Sequence, residues 1–135
     1  ANQDNLTDKK YIEAEDLAQQ TLIHYPVERK RLDIFTQFLD PNCIEPSSTR
    51  QADLTLMIVQ LVASGRGVAC LPNWALQPYL DAGLISSRPL GKKGIWPTLY
   101  AAIREEQIDS SYMKDFLKQS LHSCNNNLVG IEPLK

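Results

Sequence analysis

The sequence predicts an α/β fold, a mostly parallel sheet with helices on both faces. Three observations carry that reading. Short apolar or β-branched runs alternate with stretches of helical period, in the order strand, helix, strand, helix, strand, helix, strand, strand, helix. Pro or Gly punctuates most of the runs. Of 135 residues, 43% are hydrophobic and 22% charged, a balance that excludes wholesale disorder and supplies a core without disulfide or metal staples.

Residues 1–10 are polar and loop-like, and residues 13–20 hold helix formers for only two turns. Thr21, Leu22, Ile23, His24 and Tyr25 form a β-branched and aromatic run that Pro26 stops, a short buried strand. Residues 28–39 read as a helix. Leu32, Phe35 and Leu39 fall at i, i+3, i+7, and Ile34 and Phe38 add a pair beside them. Pro41 ends it. Residues 47–51 follow as a second strand, with Thr49 its best β-former.

The clearest helix covers residues 53–64. Asp53 is a good N-cap, and Gly65 suits the left-handed position that closes a helix. Its side chains are apolar nearly all round, which predicts burial on most sides. Residues 67–71 read as a central strand stopped by Pro72. Asn73 opens a short helix through Leu80, shortened or kinked by Pro78 and ended by Gly83. Residues 84–87 read as a short strand. The stretch 88–104 has four cations and no acid; its first half is a loop and residues 96–103 a strand. Ser110 or Ser111 caps a last helix with the stripe Met113, Phe116, Leu117, Leu121 and Cys124, and the tail from Asn125 frays.

A net charge of −2 gives no basic excess of the kind duplex-DNA binders carry. Cys43, Cys70 and Cys124 are an odd, widely spaced set without Cys-x-x-Cys, which argues against a disulfide framework or a structural zinc site. His24 and His122 hold no fixed spacing to carboxylates, so no metal or cofactor is expected. The most apolar stretch, 54–71, is broken by Thr55, Gln60, Ser64 and Arg66 and cannot fill a membrane-spanning helix. No secretory signal follows Ala1 and no Met opens the chain, so a cytoplasmic protein, or a piece of one, is expected.

Ligands of parallel α/β sheets sit outside the carboxyl ends of the strands. Here those ends are residues 25–29, 51–54 and 70–74. Glu28, Arg29, Lys30 and Arg31 follow the first strand, where a guanidinium can hold a ligand carboxylate through two parallel bonds. The alternative is a solvated turn with Arg29 and Asp33 paired at i, i+4. Asp53 suits a ligand ammonium as well as an N-cap. Gly65-Arg66-Gly67 closes a helix and opens a strand, the reverse of a phosphate loop. Cys70 and His24 could be neighbours, but no third group marks a nucleophile, and a small apolar role for the thiol is favoured.

The run Leu61-Val62-Ala63-Ser64-Gly65-Arg66-Gly67-Val68-Ala69-Cys70-Leu71-Pro72 resembles the helix, Gly-x-Gly turn and strand of LysR-type transcriptional regulators, in their effector-binding region. Glu15-Asp16-Leu17 followed by residues 21–26, Ala82-Gly83-Leu84, Pro89-Leu90, and Leu99-Tyr100-Ala101-Ala102-Ile103-Arg104 keep the same order. The resemblance spans residues 6–122. It implies one lobe of a periplasmic-binding-protein type II-like effector domain, plus a returning strand and C-terminal helix of the other lobe. Residues 1–104 are then the second regulatory subdomain, residues 105–124 a helix that packs on the first lobe, and residues 125–135 a flexible tail. The function implied is that of a non-enzymatic sensor in a homo-oligomer paired through the helix at 29–39, with Phe35 or Phe38 at the interface. DNA contact is implied only through an N-terminal domain outside this sequence.

Within the family, residues 23–27 with Arg29 and Arg31-Leu32-Asp33, Leu71-Pro72-Asn73-Trp74 and Ile95-Trp96 are similar to the branch that controls methionine biosynthesis. That likeness implies homocysteine as effector. Effector contacts map onto Tyr25, Pro26, Glu28, Arg29 and Arg31 in one loop and Gln51, Ala52 and Asp53 in another, with Arg29 for the carboxylate and Asp53 for the ammonium. The alternative class is one lobe of a solute-binding protein for a small amino acid; a thiol enzyme built on Cys70 is the third.

Overall fold

The computed structural model describes residues 4–133; the expected loop at residues 1–3 and the last two residues of the expected tail lie outside the described residues. The chain forms two compact units, one of residues up to 71 with 78–97, the other of residues 72–77 with those from 98 on.

The first unit is built on a three-stranded sheet. β1 (Thr21–His24) lies between β2 (Ser48–Gln51) and β3 (Val68–Ala69), and both pairings are parallel. The register places Thr21 against Ser48, His24 against Gln51, and Ile23 against Ala69. Successive strand residues face opposite sides, so Leu22 and Ile23, each 1% exposed, supply one core apiece. Leu22 packs with Ile12, Ala14, Leu17, Ile34, Phe35 and Leu39. Ile23 packs with Ala52 and Ile58, flanked by Leu61, Val62 and Leu71. Each such aliphatic burial contributes about 1.5–3 kcal/mol. The sheet is thereby covered on both faces, as expected. β2 is an edge strand whose four residues are all exposed, which suits its polar composition.

The helix expected over 28–39 is divided. Arg29–Arg31 form a single 3₁₀ turn, Leu32 is extended, and Ile34–Leu39 are wound as a π-helix. The Asp40 N–H donates to the Phe35 carbonyl, five residues back. Wide winding has a packing cause: it turns Ile34, Phe35 and Leu39 together onto the sheet, where all three are buried. Pro41 does not end this segment. It sits in the first turn of a 3₁₀ piece, Asp40–Asn42, where no proline N–H is needed, and Cys43 in the left-handed conformation (φ 55°) ends the run.

α1 (Asp4–Thr7) is a single turn inside the segment expected to be loop. Residues Ala14–Leu17 form a 3₁₀ turn whose start is tied by Asp16, which accepts from the Glu13 N–H at 2.9 Å and from Lys9 Nζ at 2.5 Å. α2 (Thr55–Ala63) starts two residues later than expected: Leu54 occupies the cap position with no side-chain bond, so Asp53 is not the N-cap. Only Ile58 and Val59 are buried; Leu56 and Met57 are 53% and 55% exposed, so the all-round burial expected of this helix is confined to one face. Its end follows expectation. The Gly65 N–H bonds the Val62 carbonyl and the Arg66 N–H the Leu61 carbonyl, with Gly65 at φ 70°. α3 (Asn73–Asp81) contains Pro78 and closes the same way at Gly83.

Two expected strands do not form. Residues 84–87 have no ladder partner among the described residues; the nearest pairing is a single parallel bridge from Leu90 to Ile12. Residues 96–103 are irregular and mostly exposed. β-forming side chains do not make a strand without a neighbour to take the backbone N–H and C=O groups. In the second unit, α4 (Ser111–Asn127) runs three residues past the expected end, and Met113, Leu117, Ser120 and Cys124 form its half-buried side while Phe116 and Leu121 are exposed.

A Cβ on Gly67 would run into the Thr21 carbonyl oxygen and the Ile23 side chain where β3 meets β1. Gly67→Ala is therefore expected to cost about 2–4 kcal/mol in chemical denaturation. Burial alone would raise the Asp16 pKa, but the Lys9 ammonium and the Glu13 N–H outweigh it and leave it lowered. That contribution to stability is present above the ordinary carboxylate range and is lost as pH falls through the depressed value. Asp16→Asn should lower stability near neutrality, where that contribution is present, and flatten the acid limb of a stability-against-pH curve so that variant and parent converge at low pH.

Candidate functional site

The carboxyl ends of β1 and β2 lie side by side. The Ala52 N–H donates to the His24 carbonyl at 3.0 Å, extending the ladder one residue beyond the Gln51 pairing and placing Ala52 in the core. Tyr25, the first residue after β1, is half-buried, and its hydroxyl lies 2.6 Å from Thr55 Oγ1 at the start of α2. The chain then turns sharply, with the Val27 N–H on the Tyr25 carbonyl at 2.8 Å, leaving Pro26 and Glu28 exposed. The first N–H groups of α2 have no partner within the helix, as in any helix, and Leu54 adds no cap bond; this positive end of α2 lies beside Tyr25.

Tyr25, Gln51 and Ala52 are thus brought together, and Asp53 follows on an exposed turn. Glu28 pairs with Lys30 at 2.8 Å, both exposed, and Arg31 is exposed beside them. Arg29 is oriented elsewhere. Its Nη1 and Nη2 donate to both carboxylate oxygens of Glu45 at 3.0 and 2.6 Å, and Nη2 also to Asp40 at 2.5 Å. The Asp40 bond first, and the Glu45 bonds next, push the Arg29 pKa upward. The i, i+4 pair with Asp33 is not made; Asp33 accepts from Gln37 Nε2 at 2.7 Å. The guanidinium stacks 4.1 Å above the Phe35 ring, which meets the His24 ring nearly at right angles at a centroid distance of 5.8 Å. His24 Nδ1 lies 2.7 Å from the Tyr25 carbonyl.

Residues 1–125 match the LysR substrate binding domain. The chain belongs to the LysR substrate-binding domain family. This LysR-family chain is 38% identical over 130 residues to the HTH-type transcriptional regulator MetR of Haemophilus influenzae, covering 96% of the chain and 42% of that protein. It is 38% identical over 122 residues to MetR of Escherichia coli K12, covering 90% of the chain and 38% of that protein. The regulatory domain of MetR, a LysR family regulator from N. meningitidis, superposes with a TM-score of 0.86 at 40% identity, over 96% of the chain and 60% of the MetR domain. The chain therefore spans about two-fifths of the curated relatives it matches. Its parallel sheet with helices is a periplasmic-binding-protein type II-like lobe, and its relatives are named as regulators rather than enzymes.

In this LysR-family lobe, Cys70 follows β3 one position beyond the Ile23–Ala69 pair, next to His24. Desolvation pushes its thiol up to about 11, and the Asp33 charge acts in the same direction, although part of the side chain reaches solvent. It is a thiol, not a nucleophilic thiolate, at neutral pH. Among the described residues no group of three or more His, Cys, Asp or Glu is arranged to hold a metal, and no helix is long and apolar enough to cross a membrane. An open groove of about 280 Å³ lined by Val62, Ala63, Gly83, Leu84, Ile85 and Ser86 lies at the far end of α2. It has one polar side chain, Ser86, so it lacks the convergent polar groups of the strand ends.

Sequence reading did not find Thr55, Asp40 or Glu45. Thr55 was legible as a hydroxyl one residue into a helix; nothing in the spacing of Asp40 and Glu45 pointed to Arg29.

Tyr25→Phe and Thr55→Val should each lower stability by about 1 kcal/mol, and the double variant by less than their sum, as measured by a denaturation cycle. Iodoacetamide at pH 8 should leave Cys70 nearly unmodified, with its rate climbing tenfold per pH unit toward 11; a fast reaction at pH 8 would contradict the raised pKa.

Proposed function

We propose that this lobe is the effector-sensing part of a LysR-type, DNA-binding transcription regulator that responds to homocysteine and controls methionine-biosynthesis genes in the cytoplasm. The observation that carries the reading is identity of 38–40% over at least nine-tenths of the chain to proteins named MetR. DNA contact belongs to an N-terminal domain outside this sequence, in keeping with the net charge of −2. In the whole regulator, residues 1–104 are the second regulatory subdomain, and the helix expected at residues 105–124, formed as α4 through Asn127, packs on the first lobe.

An amino-acid effector needs one anion site and one cation site a few ångströms apart. Tyr25, Pro26, Glu28, Arg29, Arg31, Gln51, Ala52 and Asp53 supply the effector surface. Three donor contacts of Arg29 already go to Glu45 and Asp40, so a carboxylate there competes with two protein carboxylates. The uncapped positive end of α2 beside Tyr25 and Thr55 supports an anion without that competition. Asp53, which caps nothing, is the ammonium partner.

Pairing of regulatory domains is proposed to use α2 as well as residues 29–39. Of the two interface candidates from sequence, Phe35 is core, 2% exposed, which leaves the half-buried Phe38, while Leu54, Leu56 and Met57 stand exposed on or beside α2. Such an apolar patch favours association. Effector binding acts by its different affinity for two arrangements of the oligomer.

Calorimetric titration of L-homocysteine into the full-length regulator tests the reading, with methionine, cysteine and homoserine as controls. Homocysteine should bind selectively, and Asp53→Asn should weaken it about tenfold. Binding of none of the four by folded protein would remove the methionine assignment; an equal response to all four would favour a general amino-acid lobe.

A further inference from the structure

Arg29 begins the turn that immediately follows the effector loop, yet its side chain is spent on three other parts of the lobe. Its paired Nη edge is taken by the two oxygens of Glu45, and Asp40 takes a further bond. Its flat face covers Phe35, which is nearly fully buried, and the Phe35 ring in turn stands at right angles to that of His24, the last residue of β1. Glu45 and Asp40 belong to the segment that leads into β2 at its amino end, while Tyr25 and Ala52 stand at the carboxyl ends. A planar guanidinium binds a carboxylate best through two parallel bonds from one edge. Here that edge is already occupied, and two carboxylates against one guanidinium leave an excess negative charge facing any incoming anion.

We propose that Arg29 is a positioning residue of the effector site, an ion-paired clasp that ties the turn leaving β1 to the loop entering β2 and so sets the direction of residues 25–28. The proposal rests on the effector-site reading above and assigns Arg29 a different task from direct contact with the effector carboxylate. The clasp works through two routes. One is the backbone, since residues 26–28 are the only link between Tyr25 and the held turn. The other is packing, since the Arg29–Phe35–His24 stack ends on the Tyr25 carbonyl through His24 Nδ1.

Removing the two acids separates a clasp from an anchor, because the two roles predict opposite signs. In the full-length regulator, Asp40→Asn with Glu45→Gln removes both charges facing the guanidinium while keeping side-chain size at exposed positions. A clasp predicts that L-homocysteine binds about three- to tenfold more weakly, as it does in Arg29→Met. Hydrogen exchange of the ligand-free protein should accelerate at both 25–31 and 40–47. Exchanging the charges, Arg29→Glu with Glu45→Arg, should restore both readouts toward the parent. Tighter homocysteine binding in the double acid variant, or unchanged exchange at 25–31 in that variant and in Arg29→Met, overturns the proposal. Failure of the unaltered regulator to bind homocysteine counts against the effector reading instead, and the exchange data then decide the clasp alone.

Discussion

Two adjacent residues of β1 face opposite ways, and nearly every other contact in the first unit follows from that. Leu22 requires a cover on one side of the sheet and Ile23 on the other. A four-residue strand offers no spare length: sliding its register by one would exchange the two faces and set Thr21 or His24, depending on the direction, against apolar partners. Parallel pairing on both edges fixes that register from two sides, through Ser48–Gln51 and through Val68–Ala69. The crossovers that parallel strands demand then become the two covers, the π-wound segment on the Leu22 side and α2 on the Ile23 side. The loop at residues 25–28, proposed to meet the effector, is the place where β1 leaves this double constraint.

How much of this was legible in the sequence depends on how local each cause is. The strands at 21–25 and 47–51, the Gly65 turn and the short helix to Gly83 were readable because a few neighbouring residues decide them: a β-branched run, a proline stop, a glycine that tolerates a left-handed backbone. The cap of α2 was misread. Asp53 has the right chemistry, but Ala52 is drawn into the core by its bond to His24, and that places the turn one residue further on. Residues 28–39 have helical spacing for Leu32, Phe35 and Leu39, yet Ile34 also has to reach the sheet. Long-range packing overrode the local period there. Residues 96–103 failed as a strand for the converse reason, since their composition was suitable and no neighbour was present to pair with them.

The site shows the same division. That Tyr25, Gln51 and Ala52 lie together was legible because the carboxyl ends of neighbouring parallel strands fall side by side, a rule that needs only topology. The Arg29 contacts were not, because Asp40 and Glu45 reach it across 11 and 16 residues of chain. What the LysR family membership adds is the kind of domain this is. What the geometry adds is a division of labour within it: side chains that face solvent at the strand ends, and side chains whose charges are already matched inside the lobe.

The π-helical winding of Ile34–Leu39 has a consequence for how this lobe tolerates change in chain length. An ordinary surface helix loses one residue by rotating whatever follows. Here the loss of one residue would regularise the hydrogen bonds, to four residues back instead of five, and in that sense repair the helix. It would also swing Leu39 by about 100° away from the sheet, and Leu39 is fully buried beside Leu22 and Phe35. The wide turn is thus a place where better local geometry means a worse core, so natural length variation in this lobe should fall in the exposed stretches around residues 84–104 and not here.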